Sequence, residues 1–340
     1  MSEQTTEVAA PAGAEVFSFG DPVPVLDGRD ILDYIEAANM GKWYETPISF
    51  EGLARSERAT PHHSSPMQLK RNVLMSTFDP TKFMGRASFE RLAHEYIVFG
   101  NCYPERVQSR TGKLIEVKAA PAKYVRRGTD LTSYFFVRGF QQEYEFPRGT
   151  LGHVMQPDIN QEIYGLPEYL AALSAAWLNE SATLFRRRYY LNGSHAGFIL
   201  YWTDPAQKQE DVDELREKIK AAKGPGNFRN LFIYSPNGKE KGLQLIPVGE
   251  VAAKDDFLNI KNVSRDDLLA AHRVPPQLMS ILPTSTGGFG NVREAAEVFF
   301  LNEIEPLQAR MLQINEWCGD EVVKFKPYRL AQQSGEPLLK

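Results

Sequence analysis

The sequence predicts an α+β fold in which helices and mostly antiparallel strands occupy different stretches of the chain. Three observations lead to this prediction. Amphipathic helical patterns occur at 88–99, 167–191, 254–273 and 292–317. Strand-like runs bounded by turn residues and prolines cluster between residues 102 and 147. A smaller strand–helix–strand–strand unit follows at 199–250, so helices and strands do not simply alternate along the chain.

Composition and charge exclude several classes of protein. The chain has 340 residues, 42% of them hydrophobic, which is enough for two or three domains with a sizeable core. The net charge of −4 argues against a protein that grips nucleic acid over a large basic surface, because such binding needs many clustered cations. The two cysteines indicate no disulfide framework, and the absence of an apolar run of membrane-spanning length predicts no membrane partner.

The first 166 residues are expected to form a flexible tail and a β-rich region. Residues 1–28 are acidic and lack a signal-peptide core, which indicates a disordered or loosely docked tail. In the region 29–166, residues 29–38 have helical spacing, whereas 48–72, "ISFEGLARSERATPHHSSPMQLKRN", are polar and are expected to form a loop. The pair His62 and His63 could suggest a metal ligand set, but adjacent histidines rarely converge on one ion, so a solvated loop is favoured.

The clearest helix of this region is 88–99, with Ser88 as the expected N-cap and Gly100 as the stop. Its buried stripe is expected to contain Phe89, Leu92 and Tyr96. Four strands are expected to follow, with the sequences "CYPERVQ", "KLIEVKAAP", "SYFFVRGF" and "QEYEFP".

A long helix is predicted at 167–191, within a segment 167–198 that leads to the next unit. Arg186, Arg187 and Arg188 fall in its last turns, where they complement the helix dipole. A solvated or intersubunit face is the favoured interpretation of this basic triplet, and a contact with DNA phosphate is the alternative.

The unit 199–250 reads as a strand, a charged surface helix and a hairpin of two strands around the turn at Pro236. The segment 251–282 then holds a helix that must stop before Pro275 and Pro276.

The segment 292–330 is expected to contain a long helix and a final strand, "EVVKFKPYRL", before a polar tail at 331–340. Asn291 is the expected N-cap of this helix. Pro306 lies inside the helix and predicts a kink near Asn302, because proline removes an amide donor and clashes with the preceding turn.

The glycine-rich segment 283–291 does not have the pattern of a phosphate-binding loop. A Walker A loop needs Gly-Lys followed by Ser or Thr, and Gly287 to Asn291 contain no lysine. The stretch "NGSHAG" has His195 where a nucleophile elbow would have serine, and "HEYIV" has Val98 where a zinc helix would have a second histidine. The sequence therefore predicts no catalytic activity, no cofactor and no metal site.

Three stretches taken in order resemble the portal proteins of tailed bacteriophages, in particular the P2-like and PBSX-like group. They are "FGNCYPERVQSRTGKLIEV", "IYGLPEYLAALSAAWLNESATLFRRRYYLNGSHAGFILY" and "HRVPPQLMSILPTSTGGFGNVREAAEVFFLNEIEPLQARM". The resemblance covers about residues 85–330. Each stretch alone is moderately specific, and their shared order and spacing make the match strong.

The resemblance implies a portal fold with a β-rich wing, long stem helices, a small α/β clip at 199–250 and a kinked long wing helix. It implies a homo-oligomeric ring, usually a dodecamer, through which double-stranded DNA is packaged and ejected. The implied location is the capsid portal vertex of the virion, with assembly in the host cytoplasm. The implied partners are terminase, the major capsid and scaffold proteins and the head–tail connector.

By the same resemblance, the tunnel loop that borders the DNA channel corresponds to residues 283–291. Its candidate residues are Thr284, Ser285, Thr286, Gly287, Gly288, Phe289, Gly290 and Asn291. Small and uncharged residues suit a loop beside moving DNA, since each neutralised phosphate would add affinity and friction. The alternatives are another phage ring component, such as a head–tail adaptor, and a nucleotide-dependent enzyme acting on DNA.

Overall fold

A computed structural model describes the backbone of residues 15–17, 37–139, 142–191, 198–202, 231–234, 243–247, 253–279 and 291–330. The chain divides into two compact units. Unit 1 comprises Met1–Val25 and Asn179–Asn262, and unit 2 comprises Leu26–Leu178 and Val263–Lys340. The predicted helix at 29–38 falls almost wholly outside the described residues.

Unit 2 contains helices and two small antiparallel sheets. Its helices are α1 (Phe50–Ser56), α2 (Pro61–Thr77), α3 (Arg86–Phe99), the first part of α4 (Leu173–Leu191), the last part of α5 (Ala253–Ala271), α6 (Val292–Phe299) and α7 (Glu305–Cys318). Its strands are β2 (Trp43–Tyr44), β3 (Asn101–Gln108), β4 (Leu114–Ala120), β5 (Val125–Gly128), β6 (Tyr134–Arg138), β7 (Gln142–Glu145) and β8 (Val154–Met155).

The stretch expected to be a polar loop instead forms α1 and most of α2. The Ser49 side chain caps α1 by accepting a hydrogen bond from the Gly52 amide, and Pro61 occupies the first turn of α2. His63, expected in a solvated loop, is completely buried. The buried stripe of α2 has regular helical spacing but contains polar members, so hydrophobic periodicity alone does not reveal it. The stripe is His63, Pro66, Met67, Lys70, Leu74 and Thr77.

Helix α3 confirms the predicted apolar stripe but begins two residues earlier than expected, with Gly85 at its N-cap. Ser88 therefore lies inside the helix. Gly100 ends α3 in the left-handed conformation, with φ of 67°. A Cβ atom at Gly100 would lie 2.5 Å from the Leu166 carbonyl carbon, so both its φ and this close approach require glycine.

The two sheets of unit 2 have the strand orders β2-β5-β6-β7 and β4-β3-β8. Strands β3, β4, β6 and β7 confirm the four segments expected from the sequence. The turn between β3 and β4 contains Gly112 with φ of 79°, in agreement with the predicted turn. The buried core packs α2, α3 and α7 against β3 and β4 through Leu74, Phe89, Val117 and Met311.

The predicted interruption of the last long helix is present as a π-helical turn, Phe300–Ile304, between α6 and α7. Pro306 lies in the first turn of α7, where it has no amide to donate to a carbonyl of the preceding π-helical turn. The proline thus sits just after the irregular turn, as the predicted kink near Asn302 requires.

Residues 321–330 were expected to form a final strand but are irregular, with one bridge between Phe78 and Phe325. The Asn315 side chain takes the place of a strand partner. Its amide oxygen accepts hydrogen bonds from the Val322 and Val323 amides, and its nitrogen donates to the Val323 carbonyl. Pro327 also lacks the amide that would extend a strand.

Unit 1 contains a four-stranded sheet of β1 (Glu15–Phe17), β9 (Phe198–Trp202), β10 (Leu231–Tyr234) and β11 (Leu243–Pro247). Its order is β1-β10-β9-β11, with β10 parallel and β11 antiparallel to β9. The hairpin expected between β10 and β11 is therefore wrong, because both strands pair with β9. Residues 15–17, expected within a loosely docked tail, form an edge strand.

Candidate functional site

The candidate loop residues Thr284, Ser285, Thr286, Gly287, Gly288, Phe289 and Gly290 lie outside the described residues. Asn291 is described and caps α6 as predicted. Its side-chain oxygen accepts hydrogen bonds from the Arg293 amide at 3.0 Å and the Glu294 amide at 3.5 Å. Its side-chain nitrogen donates to the Glu294 carboxylate at 2.7 Å, so Asn291 is fixed by both its amide atoms.

The basic candidates lie in the last turns of α4, in unit 1. Arg186 and Arg187 are exposed. The Arg188 side chain lies outside the described residues, although its backbone is helical. Exposure leaves the first two guanidinium groups accessible to a partner, as either interpretation of the triplet requires.

On the other side of the candidate loop, α5 ends at Ala271, before the two prolines as predicted. Arg273 follows in the left-handed region with φ of 54°, although it is not a glycine. Such a conformation costs on the order of 1 kcal/mol for a residue with a Cβ atom. The Val274 amide donates to the Leu269 carbonyl, and a short 3-10 helix, Pro276–Met279, comes next.

Four charged side chains meet beside this helix end, and we refer to Lys70, Glu168, Arg273 and Glu303 as the Glu303 cluster. The Glu303 carboxylate accepts from the Lys70 ammonium at 2.7 Å through one oxygen and from the Arg273 guanidinium at 2.7 Å through the other. Arg273 also pairs with Glu168. The side chains of Lys70 and Glu303 are only 9% and 7% exposed, so this pair is screened little by solvent.

Hydrogen bonds extend the Glu303 cluster towards α3. Gln156 donates to the Glu168 carboxylate at 3.0 Å and accepts from the Tyr96 hydroxyl at 2.5 Å. These side chains border a small cleft of about 30 Å³. Burial lowers the pKa of Arg273, but Glu168 and Glu303 together raise it above the usual arginine value.

A buried histidine pair lies next to the Glu303 cluster. His63 Nδ1 and His272 Nε2 are 2.9 Å apart, so one ring donates and the other accepts. The Tyr169 ring packs edge-on against His63, with centroids 4.7 Å apart. Burial lowers the pKa of His63 to about 4. Burial, the His63 ring and the neighbouring cations Lys70 and Arg273 together lower the pKa of His272 to about 2. Both rings are neutral at pH 7.

Sequence reasoning missed the Glu303 cluster and the histidine pair because their members are far apart in the chain. His63 is 209 residues from His272, and Lys70 is 233 residues from Glu303. One local signal was available: His63, Met67, Lys70 and Leu74 have helical spacing, so a helix here would place a histidine and a lysine on its buried face.

Among the residues that the structure describes, no group of three or more His, Cys, Asp and Glu side chains is placed to hold a metal ion. Within the same residues, none of the helices combines the length and the apolar character needed to cross a membrane.

The sequence and the fold are similar to known proteins over most of their length. Residues 65–333 match the family model described as "Phage portal protein". The "Probable portal protein" of Escherichia phage P2 is 52% identical over 325 residues, which cover 96% of this chain and 94% of the relative. The "Probable portal protein" of Haemophilus phage HP1 (strain HP1c1) is 33% identical over 308 residues, with 88% of each chain covered.

Two solved structures share the fold at low sequence identity. A chain of the neck of a native gene transfer agent particle, computed with C12 symmetry, has a TM-score of 0.56 at 18% identity, with 85% of each chain covered. An HK97 family phage portal protein from Corynebacterium diphtheriae has a TM-score of 0.56 at 15% identity, covering 80% of this chain and 94% of that one.

Proposed function

The chain belongs to the phage portal protein family, and on this premise we propose that it assembles as a closed ring, of twelve copies, at one vertex of the phage capsid. Double-stranded DNA passes through the centre of this ring during packaging and ejection. The observation that carries the proposal is 52% identity to the probable portal protein of Escherichia phage P2 over 96% of this chain. The ring acts as a structural conduit and does no chemistry of its own.

The charge of the chain supports passage of DNA rather than tight binding. Each phosphate that a protein neutralises adds affinity that must be broken before the DNA moves on. A net charge of −4 per copy keeps that affinity low. Arg186 and Arg187 are exposed cations in α4, and we assign the triplet that they form with Arg188 to contacts with a neighbouring copy.

Residues 284–291 form the channel loop in this proposal. The described elements before and after the loop support this assignment, because side chains fix the end of α5 and the start of α6. Asn291 caps α6 through its side chain, and Arg273 is held by two carboxylates at the end of α5. The clip is assigned to 199–250, and the described strands β9, β10 and β11 of this region lie in one sheet, in which β9 and β10 are parallel. Terminase, the capsid and scaffold proteins and the head–tail connector are the proposed partners.

Electron microscopy of the purified chain tests the ring. We expect closed rings with a central hole, and image classes that show their rotational symmetry. Monomers that bind or hydrolyse a nucleotide would instead favour the enzyme alternative and overturn the proposal.

Deletion of Ser285–Gly290 tests the loop separately. We expect rings to form in normal yield, whereas packaged DNA per particle falls severalfold or the DNA leaks from filled particles. Loss of ring assembly would show that the segment is a structural joint and not a loop beside DNA.

A further inference from the structure

The Glu303 cluster joins four parts of unit 2 that are distant in the chain. Lys70 comes from α2, Glu168 from the segment before α4, Arg273 from the end of α5, and Glu303 from the π-helical turn. Each of these features has a cost: a buried ion pair loses hydration, Arg273 has a positive φ, and a π turn is a rare interruption of a helix. Because three destabilising features occur at one point, we infer that the fold requires the elements joined there to hold fixed positions.

The π turn sets which face of α6 meets the core. Glu297 and Arg293 precede Ile304 by seven and eleven residues, and in an unbroken α-helix they would lie within about 20° of its direction. Ile304 is completely buried, so an unbroken helix would turn both charges towards the core. Instead, the side chains of Arg293 and Glu297 are 49% and 57% exposed.

The extra residue of the π turn explains this difference. An i→i+5 hydrogen bond encloses about one residue more than the i→i+4 bond of an α-helix. The residues before the π turn are therefore rotated by about one residue, or about 100°, around the helix axis. Ala296 then takes the inward direction that Glu297 would have had, and Ala296 and Phe299 are the buried residues of α6. The register of α6 therefore depends on the π turn that contains Glu303.

We propose that Glu303 is a positioning residue that holds the end of α5 and the register of α6 in one fixed arrangement. One carboxylate oxygen binds Arg273 just after α5, and the other binds Lys70 of α2, which pulls the π turn against the core. Arg273 keeps its left-handed conformation because Glu168 and Glu303 hold its guanidinium from two directions. The consequence for DNA rests on the proposed channel, since α5 and α6 are the elements on either side of 284–290.

The first test replaces Glu303 by Gln, which keeps the shape and removes the charge. Glu305→Gln is the matched control, because Glu305 is exposed in the next turn. Hydrogen exchange is measured on the assembled full-length chain. We expect the amides of Val292–Phe299 to exchange at least tenfold faster in Glu303→Gln and to be unchanged in the control. Equal exchange in the two variants would overturn the proposal.

The second test separates position from stability. Buried ion pairs can often be replaced by apolar residues without loss of stability, so the double variant Lys70→Met with Glu303→Leu should unfold within a few degrees of the original chain. We expect its α6 amides still to exchange at least tenfold faster and its particles to package severalfold less DNA. If the α6 amides of this double variant exchange as slowly as those of the unmodified chain, Glu303 only stabilises the fold, and the proposal is overturned.

The two readouts also separate this proposal from the proposed function. If the α6 amides of the Glu303 variants exchange faster but DNA packaging is normal, Glu303 has the positioning role and that role does not affect DNA. If the α6 amides of these variants exchange at the rate of the unmodified chain, and rings assemble and package DNA normally, the proposed portal function stands and Glu303 is not the positioning residue.

Discussion

Helices α2 and α3 are neighbours in the chain and pack against each other, yet only α3 was predicted. The buried stripe of α3 is largely apolar, with Phe89, Leu92 and Tyr96. The buried stripe of α2 has the same spacing but includes His63, Lys70 and Thr77. The difference shows that apolar periodicity does not predict a helix whose buried face contains polar side chains. In this protein two polar positions of α2 bind distant side chains directly, His63 to His272 and Lys70 to Glu303.

The largest effect should come from the apolar helix. Phe89 is completely buried and stacks on Phe78 with ring centroids 3.9 Å apart. We expect Phe89→Ala to lower the free energy of unfolding by about 4 kcal/mol, because it removes a core ring and leaves a cavity. Urea unfolding followed by circular dichroism measures the loss. A loss below about 1 kcal/mol would show that the α3 stripe does not form part of the hydrophobic core.

A slightly smaller effect is expected from the polar helix. Lys70→Ala leaves the buried Glu303 carboxylate with Arg273 as its remaining cation. We expect the free energy of unfolding to fall by about 3 kcal/mol, the range for breaking a buried ion pair. Lys42→Ala, which breaks an exposed pair with Glu143, is the control and should cost less than about 1 kcal/mol. Equal losses in the two variants would contradict the burial of the Glu303 cluster.

The histidine pair should make the stability of the packing around α2 depend on pH. His63 has a folded-state pKa of about 4, below the histidine value of about 6.5 in the unfolded chain. Its contribution to stability is therefore complete above about pH 6.5 and is lost as the pH falls towards 4. We expect about 2 kcal/mol less stability at pH 5 than at pH 7 from His63 alone. Unfolding curves across this range should be flatter for His63→Gln, and an equal slope would contradict the prediction.

The smallest effects distinguish a true helix cap from an apparent one. Asn291 caps α6 through its side chain, so Asn291→Ala should cost about 1 kcal/mol. Ser88 lies inside α3, so Ser88→Ala should change stability by less than about 0.5 kcal/mol. Thermal unfolding of both variants tests the pair. A larger loss for Ser88→Ala than for Asn291→Ala would reverse the assignment of the caps.

Local signals predicted much of the fold, and pairing between distant segments was the part they could not supply. Turns and alternation located β3, β4, β6 and β7, and Pro306 located the irregular turn of the last helix. The partners of β10 and β11 were assigned wrongly because two strands close in sequence were assumed to pair with each other, whereas β9 lies between them. A parallel neighbour requires a crossover connection, which leaves no short turn to recognise.

In the candidate site, too, the local contacts were predictable from the sequence and the long-range contacts were not. The role of Asn291 was predictable, because a cap acts on amides two and three residues away. The Glu303 cluster was not, since its carboxylate meets a lysine 233 residues earlier in the chain. Nothing in a single sequence pairs Lys70 with Glu303. The loop at 284–290 remains a prediction that rests on resemblance and on the anchored residues beside it.

Strand β1 has a consequence for the order of events on the ribosome. Glu15 pairs with Tyr234, so β1 is made long before the strand with which it pairs. At a synthesis rate of about 5–20 residues per second, β1 waits about 10–40 s for β10 to emerge. Because β1 lies at the edge of its sheet, β9, β10 and β11 can pair before it joins. Strand β1 can thus be added to the sheet of unit 1 after β9, β10 and β11 have paired, although it is made before all three.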